Sequence, residues 1–109
     1  MANHLPYTAT TATGERFDIT FPLHPQTASP MRVSQLVTAV LEAVDRDVML
    51  DPTTSNGDVL QALAMALAIR ASMIEVAKPI TDRLATERVK TAVSAMYDAE
   101  RRHIQVGHA

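Results

Sequence analysis

The stretch PMRVSQLVTAVLEAVDRDVML, residues 30–50, decides the fold class. Val33, Leu36, Val37, Val40, Leu41, Val44 and Val48 recur at offsets 0, 3, 4, 7, 8, 11 and 15, which places them on one face of an α-helix. Arg32, Gln35, Glu42, Asp45 and Arg46 fall elsewhere on its surface. Ser29-Pro30 reads as an N-cap followed by a first helical residue whose φ is already set. Pro52 disfavours helical geometry at Asp51, so this helix, helix A, is expected over about 30–50. Its stripe should face a core, with Leu36, Val40 and Leu41 almost fully buried.

Working upstream, Phe17, Ile19, Phe21 and Leu23 alternate with Asp18, Thr20 and Pro22, the period of a half-buried strand. Tyr7 to Thr13 is rich in Thr, which favours strands, and Gly14 separates the two runs. The two runs predict a β-hairpin within residues 5–23. A three-residue loop, Thr13-Gly14-Glu15, sets Thr11 opposite Phe17, Ala9 opposite Ile19 and Tyr7 opposite Phe21. That register puts Leu5, Tyr7 and Ala9 on the aromatic face. A two-residue Gly14-Glu15 turn would face Thr8 and Thr10 inward instead. Pro22, His24 and Pro25 end the strand, because proline cannot donate to a ladder.

Downstream, Asp51 to Gly57 is a polar turn, and Ser55 and Asp58 have capping-box spacing. Helix B is expected over about 57–78. It is apolar on two sides, one carrying Met65, Ile69, Met73 and Val76, the other Leu60, Leu63, Leu67 and Ile74. Such a helix should lie sandwiched between other elements, with Met65 and Met73 as core filler. Pro79 either kinks one long helix or starts a third, helix C, over about 79–103. The stripe Ala85, Val89, Ala92 and Met96 continues the phase of Leu60, Leu67 and Ile74 at about 100° per residue, which favours the kink. No Gly, Asn or Ser between Glu75 and Ile80 marks a reversal, although Thr81 or Asp82 could cap a separate helix. Residues 104–109 are expected to fray.

The fold class is therefore mainly α with a small N-terminal β-hairpin and two to three helices, in one domain of 109 residues. Hydrophobic residues make up 47% and charged residues 20%, a globular balance. Aromatics are only 4%, without Trp, so the core must be aliphatic. A net charge of −2 removes any general pull toward nucleic acid or anionic membrane. The apolar stretch from Val59 to Ala77 carries Gln61, Arg70 and Glu75 and is rich in Ala, so it reads as a buried helix and not a membrane span. Met1-Ala2-Asn3-His4 shows no basic segment leading into an apolar run, and a cytoplasmic location is expected.

The chemistry-bearing residue types form no convincing set. The absence of Cys excludes disulfides and thiolate chemistry. Glu100 and His103 have the E-x-x-H spacing that carboxylate-bridged metal sites use, yet they sit in a charged helix end where Arg and His suit the dipole. His4, His24, His103 and His108 share no metal-ligand spacing. Three glycines provide no phosphate-cradling loop. Arg70 and Glu75 read as rim charges or an ion pair between helices. No catalytic residue, cofactor or metal is expected.

The expectation is a non-catalytic interaction or assembly module acting as a homo-oligomer. Its candidate core and dimer contacts are Phe17, Ile19, Phe21, Leu60, Leu67, Ile74, Val89 and Met96. The runner-up is a DNA-binding regulator, because strand, helix and helix follow in the order of ribbon-helix-helix dimers. Its readers would be Arg16, Asp18 and Thr20, a poor set for phosphate. A helix unbroken from Asp58 to His103 would be about 65–70 Å long, against about 30 Å for helix A, and a second copy would be needed to cover it.

Overall fold

The computed structural model describes residues 4–10 and 15–107, with side chains through residue 99. The element order is β1 (His4–Thr10), β2 (Arg16–Pro22), α1 (Pro30–Leu50), α2 (Asn56–Ser72) and α3 (Lys78–Gly107). A two-stranded antiparallel hairpin thus precedes three helices, as the periodicities require.

The chain divides into two units, Met1–Ser34 with Arg88–Ala109, and Gln35–Glu87. In the first, the hairpin buries one face. Ile19 at 3% exposure meets Ala95 and Ala99 of α3, and Tyr7, Ala9, Phe17, Phe21 and Met96 pack around them. Alanines four residues apart lie on one helical face and bring it close to the sheet. The inward face is the expected one, but the register differs. Leu5 pairs with Phe21, Tyr7 with Ile19 and Ala9 with Phe17, two residues away from the three-residue-loop register. The connection between the paired strands is longer, residues 11–15, and a shift of two preserves the face. Pro6 pairs with Thr20 and His4 with Pro22, both on the exposed side of the ladder.

The second unit holds the rest of α1, all of α2 and the first turns of α3. Both helix starts follow their caps. The Ser29 hydroxyl accepts from the Arg32 N–H at 3.2 Å, and the Ser55 hydroxyl accepts from the Asp58 N–H at 3.1 Å. After α1, the Asp51 carboxylate accepts from the Thr53 backbone N–H at 3.2 Å and from its hydroxyl at 2.6 Å. This turn, with Pro52 inside it, follows directly on the end of the helix.

Pro79 does not kink one long helix. α2 ends at Ser72, six residues short of the expected 78, and α3 is separate. Ser72 donates to the Ala68 carbonyl at 2.8 Å, and the Met73 and Ile74 N–H groups reach back three residues to Arg70 and Ala71. These bonds tighten and end the helix without a glycine. In a continuous helix the Pro79 ring would clash with the Glu75 carbonyl, at a cost of about 3 kcal/mol. As the second residue of α3, Pro79 lacks only an N–H that would have no partner inside the helix. The Ala77 carbonyl accepts from Ile80 and Thr81 and opens the new helix. α3 then continues to Gly107, past the expected end near His103.

Candidate functional site

The largest departure from the sequence reading is exposure. α1 has no buried residue: Leu36 is 51% exposed, Val40 48% and Leu41 40%. Their expected near-complete burial is not met. Val33, Val37, Val44 and Val48 of the same stripe are half-buried, so the helical phase is the expected one.

α2 shows the same condition more strongly. Val59 to Ile69 contains no charged residue and one polar side chain, Gln61. Val59 and Leu63 are half-buried and Ala71 is buried, which marks the covered side. Leu60, Met65 and Ile69 remain 59–70% exposed. The expected sandwiching of this helix is absent from the single chain, and Met65 and Met73 are not core filler in it. Ile74, Val76 and Ile80 continue the apolar surface across the break into α3.

The candidate contacts named from the sequence divide between two environments. Ile19 is buried, and Phe17, Phe21 and Met96 pack against it. Leu60, Leu67, Ile74 and Val89 are exposed. Ala95 and Ala99 complete the hairpin core and were missed. The Ala95-x-x-x-Ala99 spacing was a readable sign of close approach, hidden because the larger Val89 and Met96 dominated the stripe.

The polar residues stay dispersed. Arg70 is exposed and donates to the Met73 sulfur at 3.0 Å, and neither it nor Glu75 enters a buried site or a mutual ion pair. The His24 Nδ1 accepts from the Gln26 N–H at 3.0 Å within its own turn. Among the described residues, no three His, Cys, Asp or Glu side chains gather in a metal-binding group. The Glu100 and His103 side chains, and His108, lie outside the described residues. On the outer hairpin face, the Asp18 carboxylate accepts from the Thr8 hydroxyl at 2.8 Å and lies 3.4 Å from the Arg16 guanidinium. The Arg16 side chain on that face is therefore already beside an acid. No helix among the described residues is long and apolar enough to cross a membrane.

Compared with protein-family models, curated proteins and solved structures, the chain matches none.

Proposed function

We propose that the protein is a non-catalytic assembly module of the cytoplasm that works as a homo-oligomer, with the helices of the second unit as its association surface. One observation supports this reading above the others. α1 and α2 are locally well formed and capped, yet their apolar side chains remain on the surface.

Light scattering at low micromolar concentration tests the reading. A mass at least twice 11.9 kDa, with a melt that shifts upward with concentration, is the expected result. A single-chain mass with a cooperative, concentration-independent melt would end it.

A further inference from the structure

We propose that Asn56–Gly57 is a site of spontaneous covalent modification: deamidation of Asn56 through a cyclic imide, with water as the co-reactant and the Ser55 cap as the gate. The chain has two asparagines, Asn3 and Asn56, and only Asn56 precedes a glycine. Asn56 and Gly57 are exposed and form the first two residues of α2. The Val59 N–H donates to the Ser55 carbonyl at 3.2 Å, and the Ser55 hydroxyl accepts from the Asp58 N–H at 3.1 Å. The Gly57 N–H precedes both bonds and takes part in neither, as one of the four donors that a helix start leaves over. Nothing in the local geometry requires glycine at this position. Its backbone is helical, and an added Cβ would meet only the Ser55 hydroxyl, at 3.9 Å. Alanine would suit the helix better. Glycine instead loosens the turn and leaves the backbone nitrogen unshielded.

The Gly57 nitrogen attacks the side-chain amide carbon of Asn56. A carbon–nitrogen bond forms, the bond to the side-chain nitrogen breaks, and ammonia leaves with the Gly57 proton. Water then opens the imide. Opening at the former side-chain carbonyl gives aspartate, and opening at the main-chain carbonyl gives isoaspartate. The net change is amide plus water to acid plus ammonia, with no oxidant or reductant. Ring closure needs the Asn56 ψ to leave its helical value, so the first turn of α2 must open before the reaction. The Ser55 hydroxyl opposes that opening. The two products act oppositely on the helix. Aspartate places a negative charge at its N-terminus, where the dipole favours one. Isoaspartate adds a carbon to the main chain between Ser55 and Asp58 and disrupts the spacing of the cap.

The full chain, aged at neutral pH and physiological temperature, tests the site by peptide mass spectrometry with chromatographic separation of isoaspartate. Asn56 should convert to both acids in the folded chain, and faster in urea, where the cap is gone. Ser55→Ala should speed conversion of the folded chain about fivefold, the weight of a typical cap in the opening equilibrium. Gly57→Ala should slow it about fivefold or more through the firmer helix. Circular dichroism checks that each variant keeps its helices, and Gly57→Ala, for which there is room, keeps the test open if Ser55→Ala unfolds α2. An Asn56 that stays intact in the folded chain while the unfolded one converts completely overturns the site. Aspartate without isoaspartate overturns the imide route. Equal rates in folded and unfolded chains, or an unchanged rate in folded Ser55→Ala, overturn the gate.

Discussion

Leu36→Ala separates a self-sufficient chain from one completed by its copy. Leu36 is 51% exposed in the chain, so about half of its burial is realised without a partner. Full burial of a leucine contributes about 1.5–3 kcal/mol, and the half already realised is about 0.7–1.5 kcal/mol. A monomer should therefore lose about that much on truncation. With the face covered, the loss should rise to about 2–5 kcal/mol, the range for a buried leucine. Glu42→Ala on the same helix provides the baseline, at under about 0.5 kcal/mol. The assay is urea unfolding by circular dichroism at two protein concentrations a hundredfold apart. For an associating chain the higher concentration adds up to about 2.7 kcal/mol of apparent stability. In the covered state Leu36→Ala should also weaken association, so its midpoint should depend more steeply on concentration across the working range. Concentration-independent midpoints, with Leu36→Ala costing no more than Glu42→Ala, would refute the reasoning and show that this part of the stripe faces water.

Ile19→Ala should destabilise by about 2–5 kcal/mol, because Ile19 is 3% exposed and sits at the centre of the hairpin core; calorimetry or urea melts measure it. Ala99→Leu at the same contact should cost about 1–3 kcal/mol by overpacking, with no compensation from added apolar volume. Ser55→Ala should cost about 0.5–2 kcal/mol by leaving the Asp58 N–H without its capping hydroxyl, while Ser55→Asp should retain most of the stability. Asp51 supplies a pH test. The Thr53 hydroxyl, and then the Thr53 backbone N–H, hold its pKa below the usual 3.8. A depressed carboxylate stabilises the fold above its unfolded pKa, and that contribution is lost as pH falls through the lower folded value. Thr53→Ala should move the Asp51 carboxyl titration upward, as read by carbon NMR, and an unmoved titration would remove the hydroxyl as its cause.

Features set by local chemistry were legible in the sequence. Pro30–Leu50 could be bounded because Ser29 caps its first turn and Pro52 restricts Asp51. The inward face of the hairpin could be chosen because a one-residue slip would have turned Phe17, Ile19 and Phe21 to solvent. Its register could not, since a two-residue shift leaves every side chain on the same face and changes only the loop. The break after Ser72 was hidden for a different reason. It is made by backbone bonds from Met73 and Ile74 and by the Ser72 hydroxyl, not by a glycine. Continuity of the apolar stripe past Pro79 reflected shared composition rather than a shared helix. Exposure was the least legible property, because periodicity tells which side of a helix is apolar and not whether the same chain covers it.

The aromatic residues explain why the two units differ in completeness. The chain has two Phe and two Tyr, and Tyr7, Phe17 and Phe21 all lie on the inward face of the hairpin. There, large side chains meet Ala95 and Ala99, so bulk on the sheet is matched by a flat helical surface, and three of the four buried hydrophobic residues among those described result. The fourth aromatic residue, Tyr97, is also outside the helical unit. Gln35–Glu87 therefore has no aromatic residue, its apolar side chains are aliphatic ones, methionines and many alanines, and Ala71 is its one buried residue among those described. An alanine-rich helix presents shallow ridges and gains little from one neighbour, but it allows several backbones to approach closely. Such a surface is stabilised by the number of helices brought together more than by the size of any side chain. Within one chain that number is limited by α1, α2 and the first turns of α3, whereas association of identical chains doubles it without a new sequence element. On the proposed reading, the composition that leaves these helices exposed is the one that symmetric assembly would use.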